Sequence, residues 1–335
     1  MRLDWEVVPL RLREPFRISR STMSARDTVR IALHHDGVTG YGEIVTSVHL
    51  GLDVPRVTAA LDGLGTWPDP EALLAELPGL PCPPGVLAGL DAAVLDLIGG
   101  RDGLPVHRLA GSPSWQPVPT AYTIGICGTE RAAETARRLH ARGFTVLKIK
   151  AGSPDLDDDV ARVAAVRAAA PGARLLLDPN GAWSAERAVG LLERMPYLDA
   201  VEQPIPPGRP DLLAWIGARS PIPVIADEDA GGVTEVERLA GAVQGVNIKT
   251  ARCGGVLAAL GAIAAARRGG MDVMLGCLVS SSLGIAPAAH LAGQARWVDL
   301  DGHLLLARDP WTGLGGEDGV LRLSGRPGLG VRPAA

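Results

Sequence analysis

No two of the four cysteines, Cys82, Cys127, Cys253 and Cys277, stand in a CxxC spacing. That argues against a thiolate zinc site and against a disulfide framework, so the thiols read as reduced core residues. The seven histidines are equally scattered, His34 and His35 excepted, and none makes an HExxH or comparable ligand spacing. No apolar run reaches the roughly eighteen residues of a membrane span. The opening MRLDWEVVPL has neither the basic segment nor the apolar core of a signal peptide. The chain therefore reads as cytoplasmic, with no membrane partner. A formal net charge of -4 gives no electrostatic reason to expect nucleic acid. Aromatic residues make up only 4%, so Leu, Val, Ala and Ile must build the core.

What is present is a chain of 335 residues with 47% hydrophobic and 21% charged side chains, the composition of a globular protein with a large core. An α/β barrel takes roughly 200–250 residues as one unit, which leaves about a hundred for a second. Residues 1 to about 45 read as an antiparallel sheet of hairpins, through TVRIALHHDG and GVTGYGEI. Residues 53–111 turn helical, with LDAAVLDLIG the clearest amphipathic stretch. From about residue 118 short β-rich runs alternate with Ala/Arg/Glu/Leu-rich helical text. The strands are VPTAYTIG, FTVLKIKA, ARLLLDPN, LDAVEQP, IPVIADE, GVNIKT, MDVMLG and ARWVDLD. Eight such βαβ repeats predict a closed (β/α)8-type barrel. The expected division is an α+β unit over 1–113, the barrel over 114–302, and a Gly/Pro-rich segment over 303–335 that returns to the first unit.

Chemistry in such barrels is housed at the C-terminal ends of the strands. Here the second strand ends in Lys148 and Lys150, the third in Asp178, the fourth in Glu202, the fifth in Asp227 and Glu228, and the sixth in Lys249. The eighth carries Asp299 and Asp301. Taken singly, Asp178 or Asp301 is the kind of residue that caps a turn or helix. Three consecutive strands ending in carboxylates, flanked by strands ending in lysine, are hard to produce by capping. With no His or Cys nearby, Asp178, Glu202 and Asp227 match an oxygen-only site for a hard divalent cation, Mg2+ first and Mn2+ second.

Lys148 and Lys150 share one strand face, because side chains alternate with a period of two. A lysine serves as a base near neutral pH when its pKa is drawn below about 10.4, which a second ammonium and a divalent cation promote. Lys150 is thereby read as the base, and Lys148 as its neighbour and a contact for a substrate carboxylate. Strands two and six face each other across an eight-stranded ring, which puts Lys249 on the other side. A carbon acid held between them would be flanked by bases on both faces.

The ordered motifs KIK at 148–150, DPNG at 178–181, VEQP at 201–204, ADE at 226–228 and NIKT at 247–250 resemble the enolase superfamily in its muconate-lactonizing subgroup. The resemblance covers essentially the whole chain. It implies a modified (β/α)7β barrel with an N-terminal α+β capping domain, and metal-assisted α-proton abstraction. VDLDG resembles the DxD motif of dipeptide epimerases, in which Asp299 and Asp301 would hold the free α-ammonium of a dipeptide. Where the family's seventh-strand segment often carries a glutamate, this chain has Ser280. The family's mobile capping loop falls here at about residues 15–23, where Arg20, and after it Arg17, could pair with an acidic substrate side chain; His49 borders the same region. The resemblance thus implies a Mg2+-dependent dipeptide epimerase acting on a small molecule such as L-Ala-D/L-Glu, with room for a homo-oligomer. The alternatives are an N-acylamino acid racemase or o-succinylbenzoate synthase and, in another class, a metal-binding barrel without turnover.

Overall fold

The computed structural model describes residues 1–335. The chain opens on a three-stranded antiparallel sheet: β1 (Arg2–Ile18), β2 (Ser21–His35) and β3 (Val38–Val45). Val29, Ile31 and Leu33 alternate along β2 and are fully buried with Ile44 of β3. Against this face lie the helices α1 (Val54–Asp62), α2 (Pro70–Glu76), α3 (Pro84–Asp102) and α4 (Val106–Leu109). The two glycines of GYGEI set how close α3 comes. A Cβ on Gly42 would lie 2.1 Å from the carbonyl oxygen of Gly89, and one on Gly40 2.2 Å from that of Ala93. Helix backbone therefore rests on strand backbone, which any larger residue there would prevent.

The amphipathic reading of LDAAVLDLIG does not hold. Every residue from Leu90 to Gly99 is buried except the half-buried Asp96. The reason is that α3 is sandwiched, with the sheet on one side and the first helices after the sixth barrel strand on the other. A helix covered on both sides needs no polar stripe.

Past β4 (Val118–Pro119) the parallel strands follow in order: β5 (Tyr122–Ile124), β6 (Val146–Lys150), β7 (Arg174–Asp178), β8 (Ala200–Glu202), β9 (Val224–Ala226), β10 (Gly245–Ile248), β11 (Asp272–Gly276) and β12 (Trp297–Asp299). Each pairs with the next. The ring closes where the Ala121 N–H donates to the Val298 carbonyl at 2.8 Å and the Leu300 N–H to the Thr120 hydroxyl at 3.0 Å. Helices follow the first seven strands: α5 (Thr129–Ala141), α6 (Leu156–Ala169), α7 (Ala185–Glu193), α8 (Pro210–Gly217), α9 (Val233–Arg238), α10 with α11 (Thr250–Cys253, Val256–Arg268) and α12 (Ser282–Ala289). Only a 3-10 turn, Gly302–Leu305, follows β12. The barrel is thus (β/α)7β, preceded by a capping unit of sheet and helices.

In the last segment β13 (Trp311–Thr312) pairs with β15 (Arg332–Pro333), and β14 (Val320–Leu321) with β4. Leu306 bridges to Leu12 and Gly328 to Pro105, so this segment touches both units. No helix is long and apolar enough to cross a membrane. The four cysteines are free and half-buried rather than core residues.

Carboxylates reach across the junction between the units. Asp91 of α3 accepts hydrogen bonds from the N–H groups of Val256 (2.7 Å) and Leu257 (3.5 Å), at the N-terminus of α11. Burial pushes its pKa up to about 7, despite those two bonds. A carboxyl with a folded-state pKa above its unfolded value binds more protons when folded. Its contribution to stability is fully present below about pH 4 and is lost as pH rises through about 7. Asp91→Asn is therefore expected to lose less unfolding free energy between pH 5.5 and pH 8 than the unmodified protein, by about 2 kcal/mol, and so to show a smaller drop in Tm. Thermal melts at the two pH values check this; equal losses would remove Asp91 as the source.

Candidate active site

The five residues of β6 are all buried, and their alternation explains the two lysines. Leu147 and Ile149 point outward into the main core beneath the helices, while Val146, Lys148 and Lys150 point into the barrel. The barrel floor is an apolar layer of Ala121, Val146, Leu176, Ala200, Ile225, Met274 and Trp297. Gly245 on β10 leaves room for Trp297, whose Cζ3 would lie 2.8 Å from an added Cβ. Above this floor Thr123, Lys148, Lys150, Glu202, Asp227, Asn247, Lys249 and Asp299 crowd together, so the ionisable residues sit over a low-dielectric floor.

Lys148 Nζ lies 2.6 Å from Glu202 Oε2, 2.7 Å from Asp299 Oδ2 and 3.2 Å from Asp178 Oδ2. Lys150 Nζ is 2.5 Å from Asp178 Oδ2, and Lys249 Nζ 2.6 Å from Asp227 Oδ2. All the predicted lysines and carboxylates are thus brought to one rim. The three carboxylates on β7, β8 and β9 do not close on a single point, however; no group of three acidic or other ligand side chains encloses a cation. The Lys148 ammonium stands among them instead.

Asp178, Glu202, Asp227, Asp299 and Asp301 crowd around Lys148, Lys150 and Lys249, and Glu228, Arg20, Arg26 and Arg252 share the cavity with them. Burial, then the neighbouring Asp178, pushes Glu202 up to about 7; burial and Asp299 do the same to Asp301. For Asp227 burial acts upward, but Lys249 and Arg252 outweigh it and hold its pKa low. Lys148 and Lys249 are shifted upward. Burial alone would lower Lys148, but Asp299, Glu202 and Asp178 outweigh it and hold its pKa well above the ordinary value. Asp227 and Glu202 likewise overcome burial at Lys249. Neighbouring carboxylates, not a neighbouring ammonium, dominate these sites.

The capping unit closes the cavity with Phe16, Ile18, Arg20, Met23, Arg26 and His49. Residues 15–23 form no open loop. They are the tip of the β1–β2 hairpin, paired Phe16↔Met23, Arg17↔Thr22 and Ile18↔Ser21. Arg20, in the turn between the two strands, reaches the cavity and pairs with Glu228. Arg17 lines a separate groove with Tyr122 and Arg138, so it does not meet the site. His49 reaches the cavity, with its pKa lowered by burial and by Arg20 and Arg26. Ser280 is buried and donates to the Leu278 carbonyl at 3.1 Å, outside the lining.

Several contributors went unread in the sequence, although they stand inside its motifs. Asn247, two residues before Lys249 and on the same strand face, donates Nδ2–H to Glu202 Oε1 at 2.7 Å. Asn180 of DPNG donates its N–H to Asp178 Oδ1 at 2.8 Å. Gln203 of VEQP accepts from the Asp227 N–H at 2.9 Å, tying two strand ends together. Asn180 and Gln203 hold φ of 48° and 36°, left-handed backbone that bends the chain directly after each carboxylate. Thr123 donates its N–H to Asp301 Oδ2 at 2.6 Å and its hydroxyl to Asp299 Oδ1 at 3.3 Å, bracing the acidic pair.

Comparison with known proteins places this geometry. The family model described as "Enolase C-terminal domain-like" matches residues 130–335. The hydrophobic dipeptide epimerase of Roseobacter litoralis is 34% identical over 98% of both chains. The substrate-liganded structure of the L-Ala-D/L-Glu epimerase of Bacillus subtilis superposes with a TM-score of 0.93 at 26% identity, covering 100% of this chain and 99% of that one. The dipeptide epimerase of Methylococcus capsulatus, complexed with Mg and L-Arg-D-Lys, does so with a TM-score of 0.88 at 32% identity over 98% of both chains.

Proposed function

The chain belongs to the enolase superfamily, in the subgroup of muconate-lactonizing enzymes and dipeptide epimerases, and from that premise we propose that it is a dipeptide epimerase dependent on Mg2+, or on Mn2+ in its place. It inverts the α-carbon of the C-terminal residue of a dipeptide. The observation that carries the reading is the acidic pair Asp299 and Asp301, lining the same cavity as Lys150 and Lys249. An acidic pair suits a substrate with a free ammonium. The capping unit is drawn at 1–113, the barrel at 114–302 and the returning segment at 303–335.

Asp178, Glu202 and Asp227 would hold the cation. Their oxygens suit a hard divalent ion, and Asp227 Oδ1 is buried without a hydrogen bond. Bound there, it would neutralise the carboxylates around the lysines and stabilise the charge that builds on the substrate carboxylate as the α-proton leaves. Lys150 as free amine takes that proton from one face, and the C–H electron pair passes into the enediolate. Lys249 as ammonium returns a proton to the opposite face. The reverse reaction exchanges the two roles. Lys148 offers its charge to the substrate carboxylate, and the N-terminal ammonium is held by Asp299 and Asp301. Arg20 on the hairpin tip borders the substrate side chain.

The test is a dipeptide library incubated with the protein and Mg2+ in deuterated water and read by mass spectrometry. A subset of dipeptides should gain one mass unit at the C-terminal residue. Exchange should vanish on exhaustive chelation and return with Mg2+. Asp178→Ala, Glu202→Ala or Asp227→Ala should each lower turnover at least roughly a thousandfold and weaken Mg2+ binding in calorimetry. Full turnover after chelation would remove the cation from the scheme.

A further inference from the structure

Glu43 is a buried carboxylate that no step above uses, and it belongs to the capping unit. Gly40 and Gly42 of β3 face α3, so Tyr41 and Glu43 point the other way, toward the barrel. There Glu43 accepts from the Ser281 N–H at 2.9 Å and from the Ser281 hydroxyl at 2.5 Å. Ser281 is the N-cap of α12, and its Oγ in turn accepts from the Leu283 N–H at 3.2 Å. The helix is pressed onto the carboxylate: a Cβ on Gly284 would lie 2.7 Å from Glu43 Oε1.

The segment this clamp holds is a wall of the active cavity. β11 ends at Gly276, and Cys277, Leu278 and Val279 then line the cavity before the chain reaches Ser281. One end is fixed by the barrel, through the register Gly276↔Asp299, and the other by a side chain 238 residues away. Val279 packs with Leu10, Leu12 and Leu306. The wall also presses on the acidic pair. A Cβ on Gly302, the residue after Asp301, would lie 2.5 Å from the Leu278 carbonyl oxygen and 3.3 Å from Cys277 Sγ. Any slack between residues 277 and 281 is thereby passed to the segment that carries Asp301.

We propose that Glu43 is a positioning residue for the epimerase reaction, a carboxylate from the capping unit that fixes the wall Cys277–Val279 through Ser281 and so sets the place of the substrate-ammonium site. The inference rests on the epimerase reading. Glu43 touches none of the lysines or proposed metal ligands, so its loss acts on substrate binding and spares the proton transfers. The helix does not depend on it alone, because Asp309 accepts from the Ser282 N–H (3.0 Å) and hydroxyl (2.6 Å) at the same N-terminus.

Glu43→Ala is expected to raise KM for the best dipeptide tenfold or more, with kcat within threefold and Mg2+ affinity unchanged. In hydrogen-exchange mass spectrometry the amides of residues 281–283 should lose protection. Glu43→Gln keeps one acceptor and should restore most of the KM; Ser281→Ala, which removes one of the two hydrogen bonds to Glu43 together with the N-cap bond from the Leu283 N–H, should give a smaller rise. A merely structural role would lower Tm and the active fraction, moving kcat at constant KM, and that result would overturn the proposal. Unchanged protection of residues 281–283 in Glu43→Ala would overturn it as well. Failure of the unmodified protein to turn over any dipeptide would overturn the epimerase reading instead, while the exchange measurement still decides whether Glu43 holds the wall.

Discussion

Alanine at Lys150 or at Lys249 is expected to abolish net epimerisation, by a factor on the order of a hundred to ten thousand or more, while leaving half of the proton chemistry intact. β6 and β10 lie four places apart in the eight-strand order, so the two lysines approach the cavity from opposite sides. Each has its own carboxylate partner, Asp178 for Lys150 and Asp227 for Lys249, so removing one lysine leaves the other's surroundings in place. In deuterated water, Lys150→Ala should incorporate solvent deuterium into one stereoisomer of the substrate and not the other, and Lys249→Ala should show the reverse preference. Lys148 cannot take over from Lys150. Asp299, Glu202 and Asp178 surround its ammonium and hold it protonated, against the opposing effect of burial. Stereoisomer-resolved mass spectrometry checks the result. If either variant still interconverted the isomers at the normal rate, that lysine would not be a catalyst.

The ionisable residues at the barrel rim were legible in the sequence because strand periodicity is local. The pairs Lys148/Lys150 and Asp299/Asp301 share an orientation at a spacing of two, and all four line the cavity. The order of the strands was legible too, since βαβ connections leave little freedom in how successive strands assemble. What escaped depends on contacts between distant segments. The charge state of Lys148 is set by Asp178, Glu202 and Asp299, which lie on three other strands. None of these partners is visible from β6 alone. Arg20 and Glu228 are 208 residues apart, and their pairing requires the hairpin tip to fold down on the barrel rim. The apolar text of α3 looked amphipathic because Asp91 and Asp96 break it. Neither is a solvated surface charge: buried Asp91 caps α11, and half-buried Asp96 accepts from the N–H groups of Tyr41 (2.9 Å) and Leu329 (2.7 Å). A buried capping carboxylate and a solvated one are the same letter in a sequence. Only the second helix or strand, absent from the local text, tells them apart.

Replacing the acidic pair should change which substrates are accepted more than it changes the chemistry. A dipeptide presents its ammonium about one peptide unit from the carbon being inverted, and two adjacent carboxylates can hold it through charge-assisted hydrogen bonds. Burial, then the neighbouring Asp299, pushes Asp301 up to about 7, although Asp299 is itself paired with Lys148. The ammonium of a bound dipeptide relieves that, whereas an N-acylated amino acid brings no counter-charge to Asp301, which no lysine pairs, at a cost on the order of a few kcal/mol. Asp299→Asn with Asp301→Asn is therefore expected to lower kcat/KM for free dipeptides by roughly a hundredfold to ten-thousandfold, and for N-acetyl amino acids by no more than about threefold. The double variant also removes a partner of Lys148, 2.7 Å from Asp299 Oδ2. Asp301→Asn alone separates the two effects, because Asp301 is held by the Thr123 N–H and not by Lys148. It should retain much of the selectivity change while leaving the Lys148 cluster undisturbed. Steady-state kinetics on matched pairs, such as Ala-Xaa against N-acetyl-Xaa, give the comparison directly. Equal efficiency of the unmodified protein on N-acetyl amino acids and on every dipeptide offered would replace the epimerase reading with that of an N-acylamino acid racemase.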